Sequence, residues 1–228
     1  MRTPRAPVRI WVETLKRIAP VLSNSDANDV VLFGSQAMSI YTRRALASKD
    51  LDLLVPGITI RVLEDLCDEF TDAAGKRPVY DFTVGQYSGR RYPVGHIYLR
   101  HGSGYPLVVE FFQTFLGFES RRLTPFLRFK QKWGINIQVF SPEAIIGTRL
   151  SFRPPERVTK FNAVRLSRFI RTLGKSVDWL VVNSFLDAFQ LRAVAVENIE
   201  ELRAKRISIP GSSNVLAAAT SDQDRSEG

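Results

Sequence analysis

The stretch Ser48-Lys49-Asp50-Leu51-Asp52-Leu53-Leu54-Val55 places two carboxylates inside an otherwise apolar run. Side chains at positions i and i+2 of a strand point to the same face, so Asp50 and Asp52 share a face while Leu51 enters the core. An unpaired buried charge is costly, so these acids need a partner. A bound metal ion supplies one; the other interpretation is an ordinary strand entry with exposed acids.

A small-residue turn precedes this strand. The apolar run Val31-Leu32-Phe33 ends at Gly34-Ser35, and apolar residues then recur at helical spacing. Gly34 lets the backbone approach a ligand closely, and the helix after it aims free N–H groups and its positive dipole end at the same place. A nucleoside triphosphate fits there, with Ser35 either contacting the phosphate or serving only as the N-cap.

A third acid, Glu110, lies in the apolar run Val108-Val109-Glu110-Phe111-Phe112. Three converging carboxylates repel each other unless cations neutralise them, and Mg²⁺ suits such an oxygen cluster. Two alternatives stay open. Glu110 can pair with an arginine instead, and Asp81, in another strand-like run, can replace it as the third ligand.

Together these fragments resemble the signature of the DNA polymerase β-like nucleotidyltransferase superfamily. That signature is an apolar strand, Gly-Ser or Gly-Gly, a helix and loop, and then Asp-apolar-Asp. The wording Ser48-Lys49-Asp50-Leu51-Asp52 is particularly similar to the AbiEii-like and MenT-like toxin nucleotidyltransferases. Residues 28–112 carry the resemblance, and the helical remainder matches only loosely.

The resemblance implies transfer of a nucleoside monophosphate from an NTP, such as ATP, to an acceptor hydroxyl with release of pyrophosphate. Asp50, Asp52 and Glu110 would hold two Mg²⁺ ions, with Mn²⁺ as the alternative metal, and Glu110 would help to deprotonate the acceptor. Gly34 and Ser35 would hold the β- and γ-phosphates.

The helical remainder gives a weaker match to the same enzymes. The toxin-like members have a lysine or arginine after the sheet that contacts the triphosphate, and Arg149 is the best match here. They often carry an Arg-Asp-x-x-Asp-Leu stretch further along. This chain has Lys160-Phe161-Asn162-Ala163-Val164-Arg165-Leu166 there, without the acids.

Basic residues concentrate in one part of the chain. The net charge is +9, and the stretch from Arg121 to Lys175 holds 13 lysines and arginines against two acids. A helix predicted to begin at Pro154-Pro155 brings several of them to one face, which suits a polyanion such as RNA. A solvated helix face is the other interpretation. The predicted acceptor-binding residues are Arg157, Lys160, Arg165 and Arg168.

The predicted fold is α+β: a mixed sheet with helices on one face, followed by a C-terminal helical subdomain. We expect a catalytic core with an N-terminal helix over residues 1–140, a basic helical subdomain over 141–206 and a disordered tail over 207–228. The predicted strands lie near 29–33, 50–55, 78–84, 95–101, 106–112 and 136–140. The first helix is too polar for a signal peptide or membrane span, so we expect no membrane association and a cytoplasmic location.

The favoured acceptor is RNA, with a tRNA 3′ end as one candidate. A protein side chain or a small molecule as acceptor keeps the same chemistry. An inactive nucleotidyltransferase-like module that binds RNA or a partner is a different class of function. A toxin role would add an antitoxin-like protein partner.

Overall fold

The computed structural model describes residues 5–23, 30–42, 46–100, 106–151 and 160–226. The chain separates into two compact units, Met1–Phe140 and Ser141–Gly228. In the described part of the chain, the strands belong to the first unit, and the second unit is helical. The predicted α+β class with a mixed sheet is therefore confirmed.

The first unit contains three helices and seven strands in its described residues. Their bounds are α1 Val8–Ser23, β1 Val31–Leu32, α2 Gly34–Tyr41, β2 Asp50–Leu54, α3 Ile60–Glu69, β3 Val79–Tyr87, β4 Arg90–Arg100, β5 Pro106–Phe112, β6 Leu127–Lys132 and β7 Ile135–Phe140, with a 3₁₀ segment at Ser120–Phe126.

The seven strands form one sheet in the order β3-β4-β5-β2-β1-β7-β6. Strand β2 runs parallel to β5 and antiparallel to β1, which itself runs parallel to β7. Two hairpins, β3-β4 and β6-β7, close the ends of the sheet. The turn residues Trp133 and Gly134 both have positive φ, as do Ser88 and Gly89, which is the backbone that two-residue hairpins require.

One face of the sheet forms the core. Leu51, Val109 and Phe111 are completely buried on it. Helix α3 packs on this face so closely that a Cβ on Gly95 would lie 2.7 Å from a methyl carbon of Leu63. Helix α1 contacts both α3 and β7. Because Asp50 and Asp52 alternate with Leu51, they project from the opposite face.

Lys132 at the end of β6 fixes the C-terminal end of α2. Its Nζ donates hydrogen bonds to the carbonyl oxygens of Ser39, Ile40 and Thr42, over 2.9, 2.7 and 2.7 Å. Burial lowers the pKa of this lysine. The last carbonyls of a helix have no partner within it, so the ammonium group satisfies them and holds α2 against the sheet.

The second unit contains five α-helices in its described residues. Their bounds are α4 Pro142–Leu150, α5 Lys160–Leu173, α6 Trp179–Ala188, α7 Arg192–Ala204 and α8 Ser213–Ser226, with a 3₁₀ turn at Gly174–Ser176. The predicted start of α4 is confirmed, because Ser141 Oγ accepts a hydrogen bond from Ala144 N over 3.2 Å and Pro142 is the first helical residue. No helix in the described ranges has the length and apolar character needed to cross a membrane.

The expectation of a disordered tail was wrong over most of its length, because α8 occupies Ser213–Ser226. Val215 is completely buried, and a Cβ on Gly211 would lie 2.1 Å from the indole of Trp179. Asn183 of α6 also donates to the carbonyl of Asn214 over 3.4 Å. The polar composition of the last residues conceals these few apolar contacts, which are enough to order the segment.

Candidate active site

Four side chains form a row across the sheet on the face opposite α3. Asp52 of β2 is in register with Glu110 of β5, Glu110 with His96 of β4, and His96 with Asp81 of β3. Residues in register on neighbouring strands point to the same side, about 4.8 Å apart. We call Asp52, Glu110, His96 and Asp81 the acidic row; Asp50 lies on the same face, two residues before Asp52.

The two aspartates are held by the turn that leads into α2. Ser48 Oγ donates to Asp50 Oδ1 over 2.7 Å. Gln36 Nε2 donates to the backbone carbonyl of Asp50 over 3.2 Å. The backbone N–H of Phe33 donates to the backbone carbonyl of Asp52 over 3.1 Å. Strand β2 and the start of α2 are therefore fixed against each other.

Gly34 begins α2 with a φ of +68°, beside Asp52. The N-cap of this helix is Phe33, so Ser35 lies inside the first turn and the interpretation of Ser35 as N-cap was wrong. The cap therefore lies two residues earlier than expected, and Gly34 is the first residue of α2. Ser35 itself is buried.

The pKa of Glu110 is affected by burial and by several neighbouring side chains. Burial raises its pKa and the nearby charge of Asp50 adds to this, while a hydrogen bond with Asp52 and the charge of His96 act in the opposite direction. Two carboxyl groups can hydrogen-bond only if one of them holds a proton. Among the described residues, the basic group beside Glu110 is His96, whose Nε2 lies 4.0 Å from Oε1.

The donor set of this face fits a divalent cation by its chemistry. Its carboxylates come from adjacent strands, and Glu110 is half-buried beside Asp52, so a cation would relieve the repulsion between the acids. Within the described ranges no three His, Cys, Asp or Glu side chains surround a common point as metal ligands.

Asp81 lies at the far end of the acidic row. Its Oδ1 lies 2.6 Å from His96 Nδ1. Its Oδ2 accepts a hydrogen bond from the Tyr98 hydroxyl over 2.7 Å. Burial acts to raise the pKa of Asp81, but the hydrogen bonds from Tyr98 and His96 outweigh it and lower the pKa. Asp81 is three strands from Asp52, whereas Glu110 is on the adjacent strand. His96 and Tyr98 were not predicted as site residues, because only the strand register shows that they share the face of the acids.

The remaining predicted residues belong to the second unit. Arg149 lies in the last turn of α4. Arg165 and Arg168 lie on α5, where Arg168 is exposed and Arg165 is half-buried. Lys160 is the first residue of α5, but its side chain, like the whole of Arg157, lies outside the described residues. The roles of these basic residues stay predictions.

Comparisons with known proteins were made at the levels of sequence and structure. No family model matches the chain, and no curated protein matches it. Among solved structures, the antibiotic-resistance factor ANT(2'')-Ia is 15% identical over 85% of this chain and 98% of its own, with a TM-score of 0.47. A Helicobacter pylori protein described as a nucleotidyltransferase is 13% identical over 90% of this chain and 88% of its own, with a TM-score of 0.45.

A third similar structure is that of MenT4, a nucleotidyltransferase toxin from Mycobacterium tuberculosis H37Rv. It is 14% identical over 87% of this chain and 67% of its own, with a TM-score of 0.39.

Proposed function

We propose that this chain is a metal-dependent nucleotidyltransferase, which transfers a nucleoside monophosphate from an NTP to an acceptor hydroxyl and releases pyrophosphate. The observation that carries the proposal is the placement of Asp50, Asp52 and Glu110 on one face of β2 and β5, beside the glycine turn that opens α2. Carboxylates next to a small-residue helix start are the parts needed to hold metal-bound phosphates.

Each carboxylate has a role in this proposal. Asp50, Asp52 and Glu110 would hold two Mg²⁺ ions, or Mn²⁺ in their place; when bound, these would neutralise phosphate charge and favour the attacking hydroxyl. Glu110 would accept the proton of the acceptor hydroxyl.

The start of α2 would hold the triphosphate. Gly34 leaves room for backbone approach, and the backbone N–H groups of the first turn, which contains Ser35, would donate to the β- and γ-phosphates. Much of the catalysis would then come from positioning, since phosphoryl transfer needs little covalent chemistry from the protein. Arg149 is a further candidate contact to the NTP.

RNA is the acceptor that we propose, and a tRNA 3′ end is one candidate. The support is the basic stretch from Arg121 to Lys175, with Arg168 exposed on α5. A polyanionic acceptor gains affinity from exposed basic residues through release of its counterions. A toxin role with an antitoxin-like protein partner goes one step further and rests on the wording of the motif alone.

The test is transfer of label from each of the four α-labelled NTPs, with Mg²⁺, into total RNA and into total protein. We expect labelled RNA with the wild type and a loss of about 100-fold or more with Asp52→Asn, because an amide cannot replace the charge of the carboxylate. Asp65→Asn is the matched control, since Asp65 is exposed on α3 and should leave transfer unchanged.

The other outcomes separate the alternatives. Label in protein would keep the chemistry and overturn the RNA acceptor. Absence of label from both, together with absence of Mg²⁺ and nucleotide binding in calorimetry, would overturn the enzyme and favour a binding module. Equal activity in Asp52→Asn and the wild type would remove the carboxylates from the mechanism.

A further inference from the structure

The geometry points to His96 as a positioning residue that, oriented by Asp81, holds the carboxyl group of Glu110 in place for catalysis. This inference rests on the proposed function, because it assigns Glu110 its role in nucleotidyl transfer. It concerns two residues of the acidic row, His96 and Asp81, that the superfamily resemblance does not include.

The imidazole of His96 is fixed from the side away from Glu110. Its Nδ1 lies 2.6 Å from Asp81 Oδ1, and Asp81 is itself fixed because its other oxygen accepts a hydrogen bond from Tyr98 over 2.7 Å. The rings of His96 and Tyr98 also stack, with their centroids 6.2 Å apart. The His96 side chain is only 19% exposed. These contacts leave the ring a single orientation.

In that orientation the free nitrogen faces Glu110. His96 Nε2 lies 4.0 Å from Glu110 Oε1, longer than a hydrogen bond but within reach of a small rotation of the carboxyl group. An unprotonated Nε2 can accept from a carboxylic acid, and a protonated Nε2 can donate to a carboxylate. His96 is therefore a partner for Glu110 in either protonation state.

Glu110 needs such a partner because its neighbour on the other side is Asp52, in register on β2. Two carboxylates in register on neighbouring strands repel each other, so Asp52 does not hold Glu110 in a defined orientation. A catalytic carboxyl group must stay within about 0.5 Å of its working position. The His96 ring, held by Asp81 on the far side, provides a fixed point on the side of Glu110 away from Asp52.

Two substitutions of His96 separate positioning from packing. An Asn amide reaches the position of Nδ1 and keeps the contact with Asp81, whereas a Gln amide reaches the position of Nε2 and keeps the contact with Glu110. We expect His96→Asn to lower kcat about 10- to 100-fold with little change in the KM for NTP. Losses of this size are usual when a residue that orients a metal-binding side chain is removed. His96→Gln should restore most of kcat.

A double substitution tests the part of Asp81. Asp81→Asn should lower kcat in the same direction as His96→Asn, and the double variant should be no slower than His96→Asn alone, because both changes break one chain of contacts. Additive losses would show that Asp81 acts independently of His96. Equal kcat in His96→Asn, His96→Gln and the wild type would overturn the positioning role. Equal losses of kcat in the two variants, with matching losses of stability, would also overturn it and show that His96 contributes only packing.

The contact itself can be measured without activity. The chain has two histidines, His96 and His101, so the ring nitrogens of His96 can be assigned in ¹⁵N NMR spectra with a His101→Gln variant. Glu110→Gln should shift the Nε2 resonance of His96, and Asp65→Asn should not. An unmoved resonance would overturn the contact. A shifted resonance in a protein that transfers no nucleotide would instead overturn the proposed function and leave the contact standing.

Discussion

The carboxylate of Asp52 occupies the space beside Gly34 that a Cβ at position 34 would need. A Cβ built on Gly34 would lie 1.7 Å from Asp52 Oδ2 and 2.6 Å from its Cγ. Gly34 also has a φ of +68°, which side chains other than glycine seldom adopt. The small residue of the turn and the second acid of the strand are therefore one steric unit, although they are far apart in the sequence.

Gly34→Ala should inactivate the protein by moving Asp52. We expect nucleotidyl transfer to fall about as far as in Asp52→Asn, because the new methyl group takes the space of the carboxylate. The free energy of unfolding should also fall, by about 1–3 kcal/mol for the strained backbone and more for the clash. Initial rates of transfer and urea unfolding measure the two effects.

The control for this prediction is Gly75→Ala. Gly75 has a similar φ of +76°, but a Cβ there would meet nothing within 4 Å. It should therefore show the loss of stability from backbone strain and no loss of transfer. Wild-type activity in Gly34→Ala would mean that Asp52 can move away without consequence, which would argue against its role as a ligand.

Glu110→Gln should make the metal-free protein more stable at neutral pH. Folding raises the pKa of Glu110, chiefly by burial, so the folded chain binds more protons than the unfolded chain above the ordinary glutamate pKa. The contribution of Glu110 to stability is present in full below that ordinary pKa, and it is lost as pH rises through the raised value. The variant avoids this loss.

Urea unfolding in EDTA at pH 4 and pH 8 tests this prediction. The advantage of Glu110→Gln over the wild type should be small at pH 4 and larger at pH 8, while Glu200→Gln, at an exposed position of α7, should show no such difference. Added Mg²⁺ should stabilise the wild type more than the variant, because a ligand of the folded state shifts the unfolding equilibrium. A variant less stable than the wild type at pH 8 would contradict the prediction.

Local patterns in the sequence were sufficient for the centre of the site. The alternation Asp50-Leu51-Asp52 predicts two acids on one face, and Leu51 is completely buried on the other. The same period places Glu110 on that face of β5. These predictions needed only the two-residue repeat of a strand, which tertiary structure leaves unchanged.

The rest of the acidic row depends on strand register, which the sequence did not supply. Asp81 meets His96 only because the Ser88-Gly89 turn sets the pairing of β3 with β4, and a slip of one residue would turn both side chains to the other face. Strand β6 was missed for a related reason. Its exposed Arg128 and Phe129 and its half-buried Lys130 lack a clear apolar alternation, and its place in the sheet comes from pairing with β7.

Gly147→Ala should destabilise the second unit, although alanine is the better helix former. In an exposed helix, replacing glycine by alanine would raise the free energy of unfolding by about 1 kcal/mol. In α4, however, the new Cβ would lie 2.5 Å from Phe185 Cδ1 of α6, and overpacking of this kind costs about 1–3 kcal/mol. Urea unfolding of the full chain should therefore show a net loss of stability. The double variant Gly147→Ala/Phe185→Leu should lose less stability than the sum of the two single variants, because the smaller side chain makes room for the methyl group. A gain of stability in Gly147→Ala would mean that α4 and α6 can move apart freely.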